Sequence, residues 1–298
     1  MGKVAPVLLV LMLSSCVGYQ SGGTNIGGGI AVKSLVTVGE ETAKSLTESY
    51  ERVVSSCPSF EKQSAITCSG VLLRGTHSSI AYHSWNPNPS PSTTGVSFSY
   101  VRKDIKFNQI LGYSNGFIFY PQQEIPKDKI NIDVLCFFPI DGVTSIRDSE
   151  GCGQMDGYPD SRECQVQGIA TATAWAKHFE VAPHKYVCGF NIRNSLGGGA
   201  VDAFNEGLKA QKLVQDFAFR EWTEVRTVKW AQDIGKVLPI KAFFYFSTSG
   251  LWGAQHDQKD FRAQTSISLP IIYIKMPESP SEDATFHFIP EDQAIPLG

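Results

Sequence analysis

The sequence predicts an α+β fold, with mixed or antiparallel sheets and several helices. Short apolar or alternating segments of strand length are scattered along the 298 residues. Helical periodicities fall among them without the regular strand–helix–strand alternation of a doubly wound parallel sheet. A hydrophobic content of 42%, with 11% aromatic residues, excludes wholesale disorder.

The chain opens "MGKVAPVLLVLMLSSC": one Lys, an apolar stretch of about ten residues, then small residues. That stretch is too short to span a bilayer as a mature helix, so residues 1–16 read as a signal peptide. Leu13-Ser14-Ser15-Cys16 resembles the bacterial lipoprotein signal, in which the cysteine is acylated; ordinary cleavage and full secretion is the alternative. The expected location is outside the cytoplasm, either secreted or lipid-anchored at the cell envelope, with Cys16 the only route to a membrane. Residues 17–34, rich in Gly and Ser, form a flexible spacer, and residues 35–298 a single catalytic region.

"EETAKSLTESYERVV", residues 40–54, sets Ala43, Leu46, Tyr50, Val53 and Val54 at helical spacing, an amphipathic helix docked by one face. "GVLLRGT", residues 70–76, is a short buried strand ending in a charge. The prolines of "HSWNPNPSPSTTG" make that segment irregular. "GVSFSYVRKDIKF" alternates Val96, Phe98 and Tyr100 on one face, a half-buried strand, and "GFIFYP" and "INIDVLCFFPI" read as two more. Residues 141–170, rich in Gly, Asp, Cys and Ser, fit a disulfide-stapled loop. Helices are expected near 171–179, 200–216 and 221–233, the last containing Trp222, Val225 and Trp230. The strand "IKAFFYFSTSG", the helix-like "GAQHDQKDFRAQT", the strand "LPIIYIKMP" and the closing "ATFHFIPEDQAIPLG" complete the chain.

Beyond Cys16, six cysteines remain: Cys57, Cys68, Cys136, Cys152, Cys164 and Cys188. The even number suits three disulfides in an oxidising compartment. Cys57 and Cys68 are expected to pair locally, with Pro58 starting a turn between them; the other four can pair in three ways. None of the six has the close spacing of a zinc knuckle, so no metal site is expected. The net charge of −3 and the lack of a long basic run argue against nucleic-acid binding.

"LGGGAVDAF" lacks the Lys-Ser/Thr of a P-loop and the spacing of a dinucleotide fingerprint, and reads as a flexible entry to a helix. Gly-x-Ser-x-Gly is absent, and no histidine sits in a metalloprotease motif. Two strand ends carry more chemistry. Arg74 closes an apolar strand, where an arginine either pairs with a structural carboxylate or holds an anion bidentately. Ser247, Thr248 and Ser249 close another, either as turn residues or as hydroxyls delivered to a ligand.

An arginine on an early strand, Ser-Thr-Ser after a later one and a glutamate near the C-terminus resemble the arginine-serine-glutamate pattern of ADP-ribosyltransferase toxins. The resemblance implies that Arg74 contacts a phosphate of NAD, that Ser247 buttresses the site, and that a glutamate stabilises the oxocarbenium ion as nicotinamide leaves. Glu291 in "FIPEDQ" is the preferred glutamate, with Glu278 and Glu282 as rivals. No clear Glu-x-Glu precedes the final strand, which favours water over a protein as acceptor.

From about Cys68 to Gln293 the chain also resembles the halovibrin family of secreted bacterial NAD glycohydrolases, through "CSGVLLRGT", "YHSWNPNPS", "GVSFSYVRKD", "LPIKAFFY", "QHDQKDF" and "PEDQ". This implies an ADP-ribosyltransferase-like core that cleaves NAD, its substrate, without a cofactor. Within the resemblance, Thr76, His83, Trp85, Thr248, Ser249 and Gln255 join the expected substrate site. Trp85 could stack on nicotinamide or adenine, or pack in the core. His256 and Gln255 share a helix, where a surface position is the alternative. Arg102 and Asp104 read as a strand-end salt bridge. Protein mono-ADP-ribosylation of a host or target-cell protein is the rival activity, and a non-catalytic surface-binding lipoprotein the rival of another class.

Overall fold

The computed structural model describes residues 33–53, 68–80, 83–87, 95–110, 113–119, 134–142, 151–153, 162–181, 187–192, 199–228 and 240–297. The signal peptide, nearly all of the spacer, Cys57 and Val54 lie outside them. The spacer's last two residues already serve the first helix: Ser34 is the N-cap of α1 (Leu35–Glu51), its hydroxyl accepting from the Thr37 amide, and Lys33 pairs with Glu41 at 2.7 Å. The helix therefore begins about one turn before the apolar periodicity suggests. It also stops short of Val53, which is half exposed.

The fold is mixed α and β. Among the described residues, nine strands form one mixed sheet and five α-helices accompany it. The strands are β1 (Val71–Gly75), β2 (Gly95–Val101), β3 (Asn115–Phe119), β4 (Val134–Phe138), β5 (Phe190–Asn191), β6 (Glu224–Val228), β7 (Ile240–Tyr245), β8 (Ile271–Lys275) and β9 (Thr285–Phe288). The remaining helices are α2 (Ala172–Val181), α3 (Gly199–Leu213), α4 (Gln215–Ala218) and α5 (Thr248–Thr265). The order across the sheet is β5-β4-β6-β2-β1-β3-β7-β8-β9. Among these nine strands only β7 and β8 pair in parallel, and α5 makes the crossover that such a pair requires.

Over the described part of the helix expected near 221–233, residues 221–228, there is no helix. Residues 224–228 form β6, which pairs with β2 on one side and β4 on the other. Trp222, Val225 and Trp230 suit a helical face, but Thr223, Val225, Thr227 and Val228 are β-branched, and residues 223–227 are buried throughout. A central strand matches both facts.

Register divides the sheet into two faces, because directly paired residues point the same way. Leu73, Ile118 and Ala242 align on one face and pack with Leu46 and Tyr50 of α1. Phe117 and Phe243 align on the other and join a larger core with Phe98, Trp175, Phe204 and Phe261. Arg74 lies in register with that aromatic row.

Two disulfides close the region between β4 and β5: Cys136–Cys152 and Cys164–Cys188. This is one of the three pairings left open by the sequence. Arg226 of β6, fully buried, donates to the Gly151 carbonyl beside the first bridge at 3.2 Å, so the stapled loop is also tied to the sheet. Cys68 is disulfide-bonded as well. The bridges fit an oxidising compartment outside the cytoplasm. Among the described residues, no helix is long and apolar enough to cross a membrane.

Candidate functional site

Because β1 and β7 both run antiparallel to β3, they run parallel to each other and end at the same edge of the sheet. At that edge the Thr76 amide donates to the Asn115 carbonyl at 3.0 Å and the Phe246 amide to the Ser114 carbonyl at 2.8 Å. The chain thus delivers Arg74 and Ser247 to one end of the molecule, with β3 between them. Their strands are two spacings apart, about 9.5 Å.

Arg74 is 3% exposed, and its Nη1 donates to the Ser97 carbonyl of β2 at 2.7 Å. It reaches towards β2 and so away from β7. It lines a pocket of about 50 Å³ together with Gly75, His83, Ser97, Ser99, Tyr113, Asp141, Trp222 and Glu224. His83 and Tyr113 lie ring against ring, with centroids 5.0 Å apart. Glu224, 2% exposed, anchors the floor: Oε1 accepts from the Ser97 hydroxyl at 2.6 Å and Oε2 from the Gly142 amide at 3.0 Å.

Of the residues expected at a substrate site, Arg74 and His83 share this pocket. Thr76 lies just beyond, 2% exposed; its hydroxyl donates to Asp257 of α5 at 2.6 Å and accepts from the Asn115 side chain at 2.9 Å. Burial pushes the Asp257 carboxyl up to about 6, against the lowering effects of the Thr76 hydrogen bond and of His256, whose Nδ1 is 3.8 Å away. Trp85 is 4% exposed. Its ring meets Phe261 edge-on with centroids 5.1 Å apart, and its Nε1 donates to Asp260 at 2.8 Å, which places it in the core against α5.

The hydroxyl run does not end in a loose turn. Ser247 is the N-cap of α5, and Thr248 and Ser249 open the helix. All three are exposed, and the Ser247 hydroxyl meets that of Ser249 at 2.8 Å instead of capping a backbone amide. Gly250 lets this helix end press on the Ser114 carbonyl, where a Cβ would come within 2.1 Å.

Glu291 is exposed on a single 3-10 turn, Pro290–Asp292, after β9. Its neighbour Asp292 is the acid turned inward, accepting from the Tyr245 hydroxyl, while the Asp292 carbonyl accepts from Gln255 at 3.0 Å. Burial, then Asp292, raises the Tyr245 phenol. Glu278 and Glu282 are both exposed, the latter accepting from the Glu278 amide. Arg102 and Asp104 form the expected salt bridge at 2.5 Å. A wider groove of about 310 Å³ lies beside it, but Asp104 is already taken by Arg102 and Lys212, and Glu206 by Lys209 and the Ala172 amide.

Glu224, Ser97, Asp141, Tyr113 and Trp222 did not emerge from the sequence. A strand reading of "TEVRTV" would have flagged Glu224, since it and Arg226 are charges on one face of a buried strand. Among the described residues, no group of three or more His, Cys, Asp or Glu is placed to hold a metal ion. No protein-family model matches the chain, and comparison with curated proteins finds no similar sequence.

Proposed function

We propose that the protein is an exported NAD glycohydrolase with an ADP-ribosyltransferase-like core, which splits NAD into nicotinamide and ADP-ribose. The observation that carries this reading is the buried Arg74 at the end of β1, lining a pocket instead of completing the aromatic row beside Phe117. A delocalised cation with several fixed donors suits a pyrophosphate. Its bond to the Ser97 carbonyl helps to fix the orientation of the head group.

In this reading NAD is the substrate, and water accepts the ADP-ribosyl group. The disulfides support action outside the cytoplasm, whether the chain is secreted or held by lipid on Cys16. The direct test is incubation of the purified, oxidised protein with NAD and chromatographic measurement of nicotinamide and ADP-ribose. The two products are expected to appear in equal amounts, and Arg74→Ala is expected to lower kcat/KM by at least tenfold. Label transferred to a protein, with free ADP-ribose at the spontaneous level, would establish the transferase activity instead. No loss of NAD would leave the surface-binding role.

A further inference from the structure

We infer that Trp85 is a positioning residue: fastened to α5 through Asp260, it sets the nearby His83 in the Arg74 pocket. The kinetic consequence rests on the NAD glycohydrolase reading; the fastening itself does not. The sequence leaves Trp85 two roles, stacking on a substrate ring or packing in the core. At 4% exposure, with its ring edge-on to Phe261 and its Nε1 bonded to Asp260, the indole has no open face for a ligand. Its influence on the pocket runs through the chain it belongs to.

His83, two residues before Trp85, lines the pocket and lies against Tyr113, with ring centroids 5.0 Å apart. Two residues of chain span at most about 7 Å, so holding Trp85 limits where His83 can go. Backbone bonds hold His83 from the other side. Its carbonyl accepts from the His77 amide at 2.7 Å and its amide donates to the Ile80 carbonyl at 2.8 Å, which ties it to the residues that follow β1. The Ser84 hydroxyl donates to the Asn86 carbonyl at 2.6 Å and bends the chain around Trp85.

The support on the far side is firm. Gly250 and Gly253 let α5 lie against Ser114 and Asn115, where a Cβ at either position would clash. Asp257 and Asp260, three residues apart on α5 and so neighbours on its surface, take the two chain segments that border the pocket. Asp257 accepts from Thr76, one residue past β1, and Asp260 accepts from Trp85. A ring packed on apolar neighbours alone could settle in more than one orientation, whereas a buried indole N–H needs an acceptor and so selects one. Gln264 donates to the same Asp260 oxygen at 2.9 Å and steadies the carboxylate from the next turn.

The test uses the purified, oxidised wild type with Trp85→Phe, Asp260→Ala, Asp260→Asn, Gln264→Ala and His83→Ala, following nicotinamide release over a range of NAD concentrations and recording thermal unfolding alongside. Trp85→Phe and Asp260→Ala are expected to raise KM about fivefold with kcat within about twofold, since they displace a substrate-binding group. Asp260→Asn keeps an oxygen acceptor, and it and Gln264→Ala are expected to stay within about twofold of wild type in both constants. On a His83→Ala background, Asp260→Ala is expected to add less than about twofold, because Trp85 acts through His83. A general loss of stability would lower Tm without producing this pattern. An unchanged KM in Asp260→Ala, or an effect as large without His83 as with it, would overturn the inference. Should Trp85→Phe fail to fold, the Asp260 variants decide, since they leave the indole in place. A wild type that does not cleave NAD would overturn the NAD reading, and hydrogen exchange of the peptide carrying His83 and Trp85 then decides the inference. Faster exchange in Asp260→Ala but not in Asp260→Asn supports it; equal exchange in wild type and both variants overturns it.

Discussion

Asp257 makes the sheet edge beside Arg74 sensitive to pH, and the replacement Asp257→Asn isolates the effect. The side chain is 6% exposed, at a sheet-facing position of α5. Its surroundings are the Thr76 hydroxyl from the end of β1, Asn115 behind that hydroxyl, and His256 and Asp260 on its own helix. Burial raises its carboxyl from 3.8 to about 6. Between those values the folded protein keeps a proton that the unfolded chain has lost, so stability falls as pH rises through the window. The loss is absent well below 3.8 and complete above about 6.

At about 1.4 kcal/mol for each tenfold in affinity, the full gap amounts to about 3 kcal/mol, and integration leaves about 0.6 kcal/mol of it at pH 4. Asparagine retains an oxygen acceptor for Thr76 and cannot titrate. Any cost of burying its amide is independent of pH, so the measured quantity is a difference of differences. Urea unfolding of the oxidised wild type and variant at pH 4 and pH 7.5 is expected to show the variant gaining about 2.4 kcal/mol relative to wild type between the two. His256 is present in both chains, and its own contribution cancels except for its coupling to the carboxylate. Parallel stability curves would refute the reasoning, because they would mean that Asp257 is ionised in the fold as readily as in the unfolded chain.

Ser247→Ala is expected to change unfolding free energy by less than about 0.5 kcal/mol, below the usual loss of about 1 kcal/mol for a capping serine, because its hydroxyl caps no backbone amide; thermal or urea unfolding checks this. Gly116→Ala puts a Cβ 1.9 Å from the Arg74 carbonyl, so the β1–β3 pairing must part, at a cost of about 3 kcal/mol in urea unfolding. Replacing both cysteines of the Cys136–Cys152 bridge, which spans 16 residues, is expected to cost about 3 kcal/mol, and the 24-residue Cys164–Cys188 bridge slightly more, measured under oxidising conditions.

How far the sequence could be read followed the range of the interactions involved. β1, β3, β4, β7 and β8 are apolar runs whose burial is written in their own residues, and α5 was legible in its polar, helix-forming composition. β6 was not, because Arg226 and Glu224 interrupt its apolar pattern, and their partners lie far away along the chain: Ser97 is 127 residues from Glu224 in sequence, and Gly142 is 82. Thr76 and Asp257 meet across 181 residues. Arg74 was legible because a charge at the end of an apolar strand is a local anomaly that needs a reason.

The acid was a different kind of question. A glutamate near the last strand can be located by counting along the chain, whereas the acid beside an arginine is set by which strands are neighbours. In a sheet ordered β6-β2-β1-β3-β7-β8-β9, the last strand of the chain is an edge, and a strand from its middle sits next but one to β1. Late position and proximity therefore point to different carboxylates, Glu291 and Glu224. Nor does a place after the last strand give a place across the sheet: the turn that carries Glu291 is tied back to β7 through Asp292 and Tyr245, and to α5 through Gln255, so chain order alone could not locate it.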